Sequence, residues 1–367
     1  MVPLEIGLVY ETFETYPRSA EDPVDAHVEF EPESTIEALE SSIRSLGHRP
    51  RRLGSPRDLL TLAANGGLES VDAAFNLAEG MGGRNREAWA PVLLEMAGVP
   101  TIGSDALSLS LSLDKGWANR WVEAAGVRVA KQAWLKDAES ALTTPLPAPF
   151  PLFVKPRWEG TAKGIRASSR VEDLDALVRE VERVVEAYQQ PALVEAFVPG
   201  AEYTVTLIGN DPPVALPVVQ RALEKETGIG LHALEGVGGQ ADGLEHVTPG
   251  GLDAPLEAVL AEASIRAFEA LECLDFARVD FRLDSDGKPV FLEINPLPTF
   301  ATDGTFAILA ELEGTTLDEM LGRCVQAGLD RLGLGADTSS SASSTSSSAS
   351  STSSTSRPSA VAKGNSN

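Results

Sequence analysis

The chain has 367 residues and a formal net charge of −24, with 54 acidic and 30 basic side chains. That length suits roughly two or three domains, and so acidic a surface repels nucleic acid and anionic membranes, which bind clustered Lys and Arg. The two Cys and four His residues form no CxxC or HExxH pattern, which argues against a disulfide framework or a zinc site.

No stretch approaches about 18 consecutive apolar residues, the length that a membrane helix needs. The N-terminus MVPLEIGLVY has no basic segment before an apolar run, as a leader sequence would have. We therefore expect a soluble protein of the cytoplasm with no membrane partner.

The first hundred or so residues predict an open, mainly parallel sheet. Leu4 to Tyr10 is a short apolar run suited to a buried strand, and a helix follows, with Ser34 and Glu37 as its capping box and Gly47 as its stop. Alternating strands and helices favour such a sheet. The further elements predicted here are a strand at 71–77, a helix at 85–96 and a strand at 99–102.

The segment 107–113 is ambiguous. Its Leu residues alternate with Ser, which by pattern predicts a strand, yet Ser104 and Asp105 just upstream are able to cap a helix.

Downstream, helical and strand patterns continue, and two segments are unusual. Thr227 to Gly243 is rich in glycine and predicts a mobile flap. Thr338 to Ser356 contains only Ser, Thr and Ala, which predicts a disordered tail. The other predicted elements are helices at 114–125, 171–187 and 256–271, and strands at 152–156, 192–197 and 202–209.

The segment FARVDFRLDSDGKPVFLEIN (276–295) predicts a β-hairpin centred on Asp286-Gly287, with a two-residue or four-residue loop. In that register Asp280 lies opposite Glu293, and Arg278 lies opposite Asn295. Because side chains alternate along a strand, these four share one face. The opposite face is predicted to be core and holds Val279, Phe281, Leu292 and Ile294.

Two facing carboxylates repel each other, so something positive is expected between them. Asp280, Glu293 and Asn295 offer the hard oxygen ligands that suit Mg²⁺, and Mn²⁺ is an alternative. An ordinary solvated hairpin face is the competing interpretation.

A second signal is PLFVKPRWEGTAKG, which places Lys155 near a strand end before a glycine-bounded loop at Glu159 to Gly164. The backbone N–H groups of such a loop are able to cover an anion. It is not a Walker A loop, and Lys155 equally suits a solvent-facing strand position. A weaker signal is the pair Glu195 and Glu202. Their spacing suits contacts to the exocyclic amine and the ribose hydroxyls of a nucleotide, but two surface glutamates at a strand end would explain it equally well.

These segments follow one another along the chain in the order found in a known family. Residues 71–310 resemble the ATP-grasp fold of D-alanine-D-alanine ligases. The matching blocks are FNLAEGMGGRNREAWAPVLLEMAGVPTIGSDAL, LSLDKGWANRWVEAAGV, FVKPRWEGTAKGI, LVEAFVPGAEYTV and RVDFRLDSDGKPVFLEINPLP. The resemblance favours a helix for the segment 107–113. It implies an α/β protein (α+β in the ATP-grasp part), in which an N-terminal open parallel sheet is followed by two subdomains that sandwich ATP.

The resemblance also implies roles for individual residues. Lys115 and Lys155 would hold the phosphates of ATP, and Asp280, Glu293 and Asn295 would ligate Mg²⁺. Arg278 and the backbone N–H of Thr299 would stabilise the transition states. The further residues implied to bind ATP are Glu159, Gly160, Thr161 and Gly164 of the loop, and Glu195, Phe197, Val198 and Glu202 around adenine and ribose.

The implied domains are 1–110 for substrate, 111–203 and 204–333 for the two ATP-grasp halves, and 334–367 as the tail. The implied reaction joins a small-molecule carboxylate to an amine through an acyl phosphate, and releases ADP and phosphate. A homodimer is a possible assembly. The alternatives are a small-molecule kinase, or a nucleotide-binding regulatory module without turnover. The module is disfavoured by the joint retention of Asp280, Glu293, Asn295 and Arg278, because a binder needs no oxyanion-stabilising Arg.

The chain departs from the family pattern where substrates bind. Thr299 stands where the family has Gly, and Ala78-Glu79-Gly80 stands where it has a Leu-His-Gly run. The first strand leads into Glu11-Thr12-Phe13-Glu14 without the usual Ser and Glu motif, and the flap offers only Lys225 in place of a Tyr-rich, Lys-containing motif. We therefore expect substrates other than two D-alanines.

Overall fold

Three β-sheets organise the chain in the computed structural model, which describes residues 2–235 and 252–335. The strands are β1 (Glu5–Val9), β2 (Arg49–Gly54), β3 (Ala73–Asn76), β4 (Thr101–Ile102), β5 (Gln132–Leu135), β6 (Leu152–Pro156), β7 (Arg170–Val171), β8 (Ala192–Ala196), β9 (Glu202–Ile208), β10 (Val214–Ala215), β11 (Val219–Arg221), β12 (Phe276–Leu283) and β13 (Pro289–Asn295). The helices are α1 (Glu33–Ser45), α2 (Pro56–Ala64), α3 (Trp89–Met96), α4 (Ala106–Leu113), α5 (Lys115–Ala124), α6 (Ala138–Thr143), α7 (Leu174–Tyr188), α8 (Leu231–Glu235), α9 (Ala254–Ala270), α10 (Thr305–Glu313) and α11 (Leu317–Arg331).

The first sheet is parallel throughout, in the order β2-β1-β3-β4, which confirms the predicted open parallel sheet. Its inner strands β1 and β3 are apolar and buried. The edge strand β2 has the sequence RPRRLG and was not predicted, because its charged side chains face outward; Arg51, for example, lies 3.0 Å from Glu5.

The other two sheets are antiparallel. One has the order β5-β8-β6-β7, and the other has the order β10-β9-β12-β13, with β11 also paired to β9. Helix α7 packs its Leu and Val residues on the former, and α9 packs on the latter. The three sheets fall largely within the predicted ranges 1–110, 111–203 and 204–333, although β9 begins at Glu202. The limits at 110, 203 and 333 stay a prediction.

One apolar core joins the first sheet to the C-terminal helices. Phe75 of β3 stacks on Phe276 of β12, with ring centroids 5.3 Å apart, and Phe300 packs edge-on against both. Helix α11, which has no counterpart among the predicted elements, packs against α1 in this core. The first sheet and the sheet that contains β12 therefore share one apolar core.

Two local predictions are decided by side-chain hydrogen bonds. The predicted capping box at Ser34 and Glu37 is wrong, because α1 begins two residues earlier than that box requires, after Pro32, without a side-chain cap. The segment 107–113 is a helix, as the resemblance implies and the Leu/Ser alternation does not. Asp105 accepts a hydrogen bond from the Ser108 N–H at 2.9 Å, which fixes the start of α4.

Part of the predicted flap, 236–243, and the Ser/Thr/Ala-rich tail from 336 lie outside the described residues. Within the described ranges, no helix combines the length and apolar composition needed to cross a membrane.

Candidate active site

The candidate site consists of two adjoining cavities. The larger cavity has a volume of about 280 Å³ and lies between the two antiparallel sheets. It is lined by most of the predicted site residues, which are Lys115, Lys155, Glu159, Thr161, Glu195, Phe197, Val198, Glu202, Arg278, Asp280, Glu293 and Thr299. Gly160 and Asn295 line an adjoining smaller cavity. Gly164, also a described residue, lines neither of them.

The hairpin of β12 and β13 has the predicted register at the site. Asp280 lies opposite Glu293, and Arg278 lies opposite Asn295. Asp280 is held from two sides, because Arg278 Nη2 lies 3.1 Å from its Oδ2 and Thr204 Oγ1 donates to its Oδ1 at 2.7 Å. Its carboxylate is thus fixed in the direction of the cavity.

The turn end of the hairpin differs from the prediction. Asp284 N donates to Lys288 O at 2.9 Å, so the loop has three residues, 285–287, with Gly287 at φ +74°. This loop shifts the pairing by one residue, and Phe281 faces Phe291. A β-bulge at Leu292 restores the predicted register before Glu293.

The bulge corrects the prediction for one side chain. Leu292 lines the larger cavity instead of facing the core, because the extra residue reverses the alternation there. Phe291 takes the core position and is 1 % exposed, while Val279, Phe281 and Ile294 are buried as predicted.

Lys115 begins helix α5 and reaches the hairpin. Its Nζ lies 3.0 Å from Glu293 Oε2 and also donates to the backbone carbonyl of Glu159. Burial alone would raise the pKa of Glu293, but the charges of Lys115, Lys155 and Arg278 lower it to about 2. Glu293 is therefore a carboxylate at neutral pH.

Lys155 lies on β6 and is only 6 % exposed, so the interpretation as a solvent-facing strand residue is wrong. Its Nζ lies 2.9 Å from Glu195 Oε1 on β8. Burial would lower the pKa of Lys155, but the charges of Glu195 and Glu293 raise it above the ordinary value. The cation is thus retained inside the cavity wall.

The loop at Glu159 to Gly164 is tied to the segment that precedes α1. The N–H of Gly160 donates to Glu29 Oε1 at 2.6 Å, and the N–H of Gly164 donates to Asp25 Oδ2 at 2.8 Å. Arg86 lies 2.6 Å from the same Glu29 carboxylate. Two of the backbone N–H groups that were predicted to cover an anion thus donate to protein carboxylates.

At the far end of the cavity, Phe197 and Val198 provide an apolar wall beside Glu202. Arg170 and Arg282 stack on the Phe197 ring, with guanidinium carbons 4.6 Å and 5.3 Å from its centroid. Burial raises the pKa of Glu202 to about 7, against the opposing charge of Arg282.

Sequence reasoning missed Arg221 on β11. Its side chain lines the larger cavity, donates to Thr204 Oγ1 at 3.1 Å and donates to Thr305 Oγ1 at 2.5 Å. A basic residue on an edge strand after a turn gives no distinguishing signal. Its partners come from two other elements, which only the fold brings together.

The smaller cavity adjoins the larger one through four shared residues, Lys115, Thr161, Arg278 and Thr299. Glu79 and Glu87 line its other side, next to Asn295. The Thr299 backbone N–H donates to no acceptor among the described residues, which leaves a free donor between the two cavities.

The remaining departures from the family pattern lie away from this cavity wall. Glu11 is buried and accepts a hydrogen bond from the Gly80 N–H at 2.9 Å, so it holds the turn that carries Glu79. Glu14 and Lys225 are exposed, and among the described residues neither lines one of the two cavities.

Asp280, Glu293 and Asn295 are oxygen donors of the kind that Mg²⁺ prefers. Among residues 2–235 and 252–335, no group of three His, Cys, Asp or Glu side chains is suited to hold a metal ion. Here the third donor is the amide oxygen of Asn295, whose Nδ2 lies 3.4 Å from Asp280 Oδ2. The three residues therefore fit a magnesium ion that keeps positions for water and phosphate.

Comparison with known proteins agrees with this site. A family model described as the D-ala D-ala ligase C-terminus matches residues 122–326, more than half of the chain. A D-alanine--D-alanine ligase of Halalkalibacterium halodurans is 30 % identical over 75 % of this chain and 85 % of its own length. An uncharacterized protein of Sinorhizobium fredii is 31 % identical over 78 % of this chain and 84 % of its own length.

Solved structures show the same fold. The VanG D-Ala:D-Ser ligase of Enterococcus faecalis superposes with a TM-score of 0.67 at 21 % identity, over 89 % of this chain and 99 % of its own. A D-alanine--D-alanine ligase of Bacillus anthracis, solved with ATP, has a TM-score of 0.61 at 20 % identity, over 89 % of this chain and 98 % of its own. At such identities the likeness concerns the fold alone.

The chain belongs to the D-alanine-D-alanine ligase family of ATP-grasp enzymes. It is an enzyme that uses ATP and Mg²⁺ to join a small-molecule carboxylate to an amine, with release of ADP and phosphate.

Proposed function

We propose that this ligase binds ATP in the larger cavity and its amine substrate in the smaller one, and that its substrates are not two D-alanines. The observation that carries the proposal is the position of Arg278 and Thr299, which line both cavities. A γ-phosphoryl group in one cavity and an amine in the other would meet at these two residues.

The phosphates of ATP bring several negative charges, and Lys115 and Lys155 are the buried cations beside the hairpin. In this proposal both lysines exchange a carboxylate partner for a phosphate oxygen. Asp280, Glu293 and Asn295 would hold a Mg²⁺ ion, which would supply charge neutralisation for phosphoryl transfer.

The loop at Glu159 to Gly164 covers the phosphates in the proposed complex. The N–H groups of Gly160 and Gly164 donate to the carboxylates of Glu29 and Asp25. In this proposal they exchange those carboxylates for phosphate oxygens. Thr161, whose φ is +47°, lines both cavities at the tip of this loop.

Adenine and ribose are proposed to bind at the far end of the larger cavity. Phe197 and Val198 offer apolar surface to the base, and Glu195 lies nearby to accept from its exocyclic amine. Glu202 is proposed to accept from the ribose hydroxyls, because its carboxylate lines the same wall.

Acyl transfer proceeds through a tetrahedral oxyanion, which needs fixed donors. The Arg278 side chain is 16 % exposed and is held by Asp280, and the Thr299 N–H has no described acceptor. We propose that these two donors bind the oxyanion. Thr in place of Gly keeps the backbone donor but adds a side chain to the cavity wall.

Two further expectations belong with this proposal. We propose a cytoplasmic location and a homodimeric assembly.

The test is a screen of carboxylate and amine pairs with the purified chain, ATP and Mg²⁺, in which ADP and phosphate are both measured. We expect equal amounts of ADP and phosphate, only when both substrates are present, and a pair other than two D-alanines as the best. Release of ADP without phosphate would indicate a kinase, and no ADP with any pair would indicate a module without turnover.

A further inference from the structure

The smaller cavity contains two carboxylates without protein partners. Glu87 is 7 % exposed and Glu79 is half-buried, and both line this cavity. Across residues 2–235 and 252–335, neither carboxylate accepts a hydrogen bond or lies within 4.0 Å of a basic group; buried carboxylates are normally paired in native proteins. This absence points to a missing positive partner.

The neighbouring cations are already engaged elsewhere. Arg86 lies 2.6 Å from Glu29 and donates to the Trp158 carbonyl, while Lys115 is paired with Glu293. Arg278 is paired with Asp280 in the same way. The groups at this wall that lack a partner are therefore the carboxyl groups of Glu79 and Glu87.

The electrostatics agree with the contacts. Burial raises the pKa of Glu87 to about 7, with Glu29 and Glu159 acting in the same direction and Arg86 and Lys115 opposing. Burial also raises the pKa of Glu79 well above its ordinary value, and the charge of Glu87 adds to this effect. Glu29 and Glu31 raise it further, and Arg86 opposes them. A cation between the two carboxylates would relieve this repulsion.

We propose that Glu79 and Glu87 bind the ammonium group of the acceptor, and that the acceptor is an aliphatic primary amine without a carboxylate beside its amino group. This inference rests on the proposed function and names the class of its amine substrate. A carboxylate next to the amino group would lie against Glu79 and Glu87 and would be repelled by both.

The pair also provides the proton acceptor that the reaction needs. The ammonium gives one proton to a carboxylate of the pair and becomes a neutral amine. The nitrogen lone pair then forms the C–N bond to the acyl phosphate carbon, and the C–O bond to phosphate breaks. The second N–H proton leaves with the phosphate, so that an amide and hydrogen phosphate result.

The experiment compares alaninol with alanine as acceptors, because the two differ only in replacement of the carboxylate by CH₂OH. With the donor that releases most phosphate in the screen, we expect kcat/KM for alaninol to exceed that for alanine at least tenfold. A preference for alanine would overturn the class of acceptor that we propose.

The residues are tested by Glu79→Gln and Glu87→Gln, with hydroxylamine as an amine that is largely uncharged at pH 7. In each variant we expect the ratio of the alaninol rate to the hydroxylamine rate to fall at least tenfold, mainly through KM. Glu95→Gln, at an exposed position of α3, is the matched control and leaves the ratio unchanged. An unchanged ratio in both site variants would overturn the assignment.

A second measurement needs no turnover, so it separates this inference from the proposed function. Ethylammonium chloride is expected to raise the Tm of the wild-type chain above that in NaCl of equal ionic strength. The double variant Glu79→Gln/Glu87→Gln should not respond. Its fold should be retained, because neither carboxylate has a protein partner to lose, and an equal Tm shift in both proteins would overturn the inference.

If the wild-type chain forms no ADP with any donor and hydroxylamine, the proposed function fails, and the Tm comparison still decides whether the pair binds a cation.

Discussion

Lys115 Nζ lies 3.0 Å from Glu293 Oε2, so a proposed phosphate ligand and a proposed magnesium ligand form an ion pair with each other. Both groups line the larger cavity. The Lys115–Glu293 ion pair therefore competes with the proposed binding of ATP and Mg²⁺. It must open before Lys115 contacts a phosphate and Glu293 contacts the metal ion.

The first prediction concerns Glu293→Gln. The variant should lose turnover at least a hundredfold, because Gln lacks the negative charge that Glu293 offers to Mg²⁺. It should also be less stable by about 1–3 kcal/mol, since the buried Lys115 keeps its charge without a carboxylate partner. ADP release and urea unfolding measure the two effects.

Glu257→Gln, at an exposed position of α9, is the control for a change of charge alone. Normal turnover in Glu293→Gln would remove this residue from the metal site.

The second prediction separates nucleotide binding from folding. Lys155→Met should weaken ATP binding about tenfold, the 1.4 kcal/mol typical of a lost charge-assisted hydrogen bond. It should also destabilise the chain by about 3–5 kcal/mol, because Glu195 is left buried and charged. Calorimetry and denaturant unfolding measure these quantities.

The double variant Lys155→Met/Glu195→Gln is the matched comparison. It should recover most of the lost stability, because no unpaired buried charge remains, but not the lost ATP affinity. Recovery of both would show that Lys155 acts on ATP only by supporting the fold.

Sequence reasoning predicted the face of the hairpin that carries Asp280 and Glu293, because side-chain alternation and the Asp286-Gly287 turn are local properties. It did not predict the bulge at Leu292, because the three-residue loop and the register at Asp280 are fixed at opposite ends of the hairpin. The two shifts cancel at the site, which is why the pairing of Asp280 with Glu293 was still predicted correctly.

Elements whose stability comes from distant partners were harder to predict. The helix at 107–113 has a strand-like alternation, but Ser108 donates to the Glu272 carbonyl at 2.9 Å, 164 residues along the chain. The unpaired carboxylates of Glu79 and Glu87 likewise gave no signal in the sequence, since their lack of partners is a property of the folded chain.

The third prediction concerns pH. Burial alone would raise the pKa of Glu29, but the charges of Arg86 and Lys163 lower it to about 2. A lowered pKa means that this carboxylate stabilises the fold above pH 4.5 and that its contribution is lost as the pH falls toward 2. We expect the wild-type free energy of unfolding to decrease across that window, on the order of 2 kcal/mol from this group.

Glu29→Gln should remove this part of the pH dependence and lower the stability at pH 7, while Glu182→Gln, at an exposed position of α7, should do neither. Urea unfolding at several pH values measures both effects. The same acid window in Glu29→Gln as in the wild type would assign the titration to other carboxylates.

The last prediction concerns the substrates. The residues with which the family binds D-alanine are replaced at Glu11 to Glu14, at Ala78 to Gly80 and at Thr299. Glu11 already accepts a hydrogen bond from the Gly80 N–H at 2.9 Å. A buried substrate group left without its partner costs about 1–3 kcal/mol. Two such losses amount to roughly a hundredfold or more, since 1.4 kcal/mol is tenfold. We therefore expect ATP turnover with another pair to exceed D-alanyl-D-alanine synthesis by about that factor, with a D-alanine-D-alanine ligase assayed in parallel as the positive control. Efficient synthesis of that dipeptide, unmatched by any other pair, would mean that Glu79 or Thr299 binds D-alanine in place of the family residues.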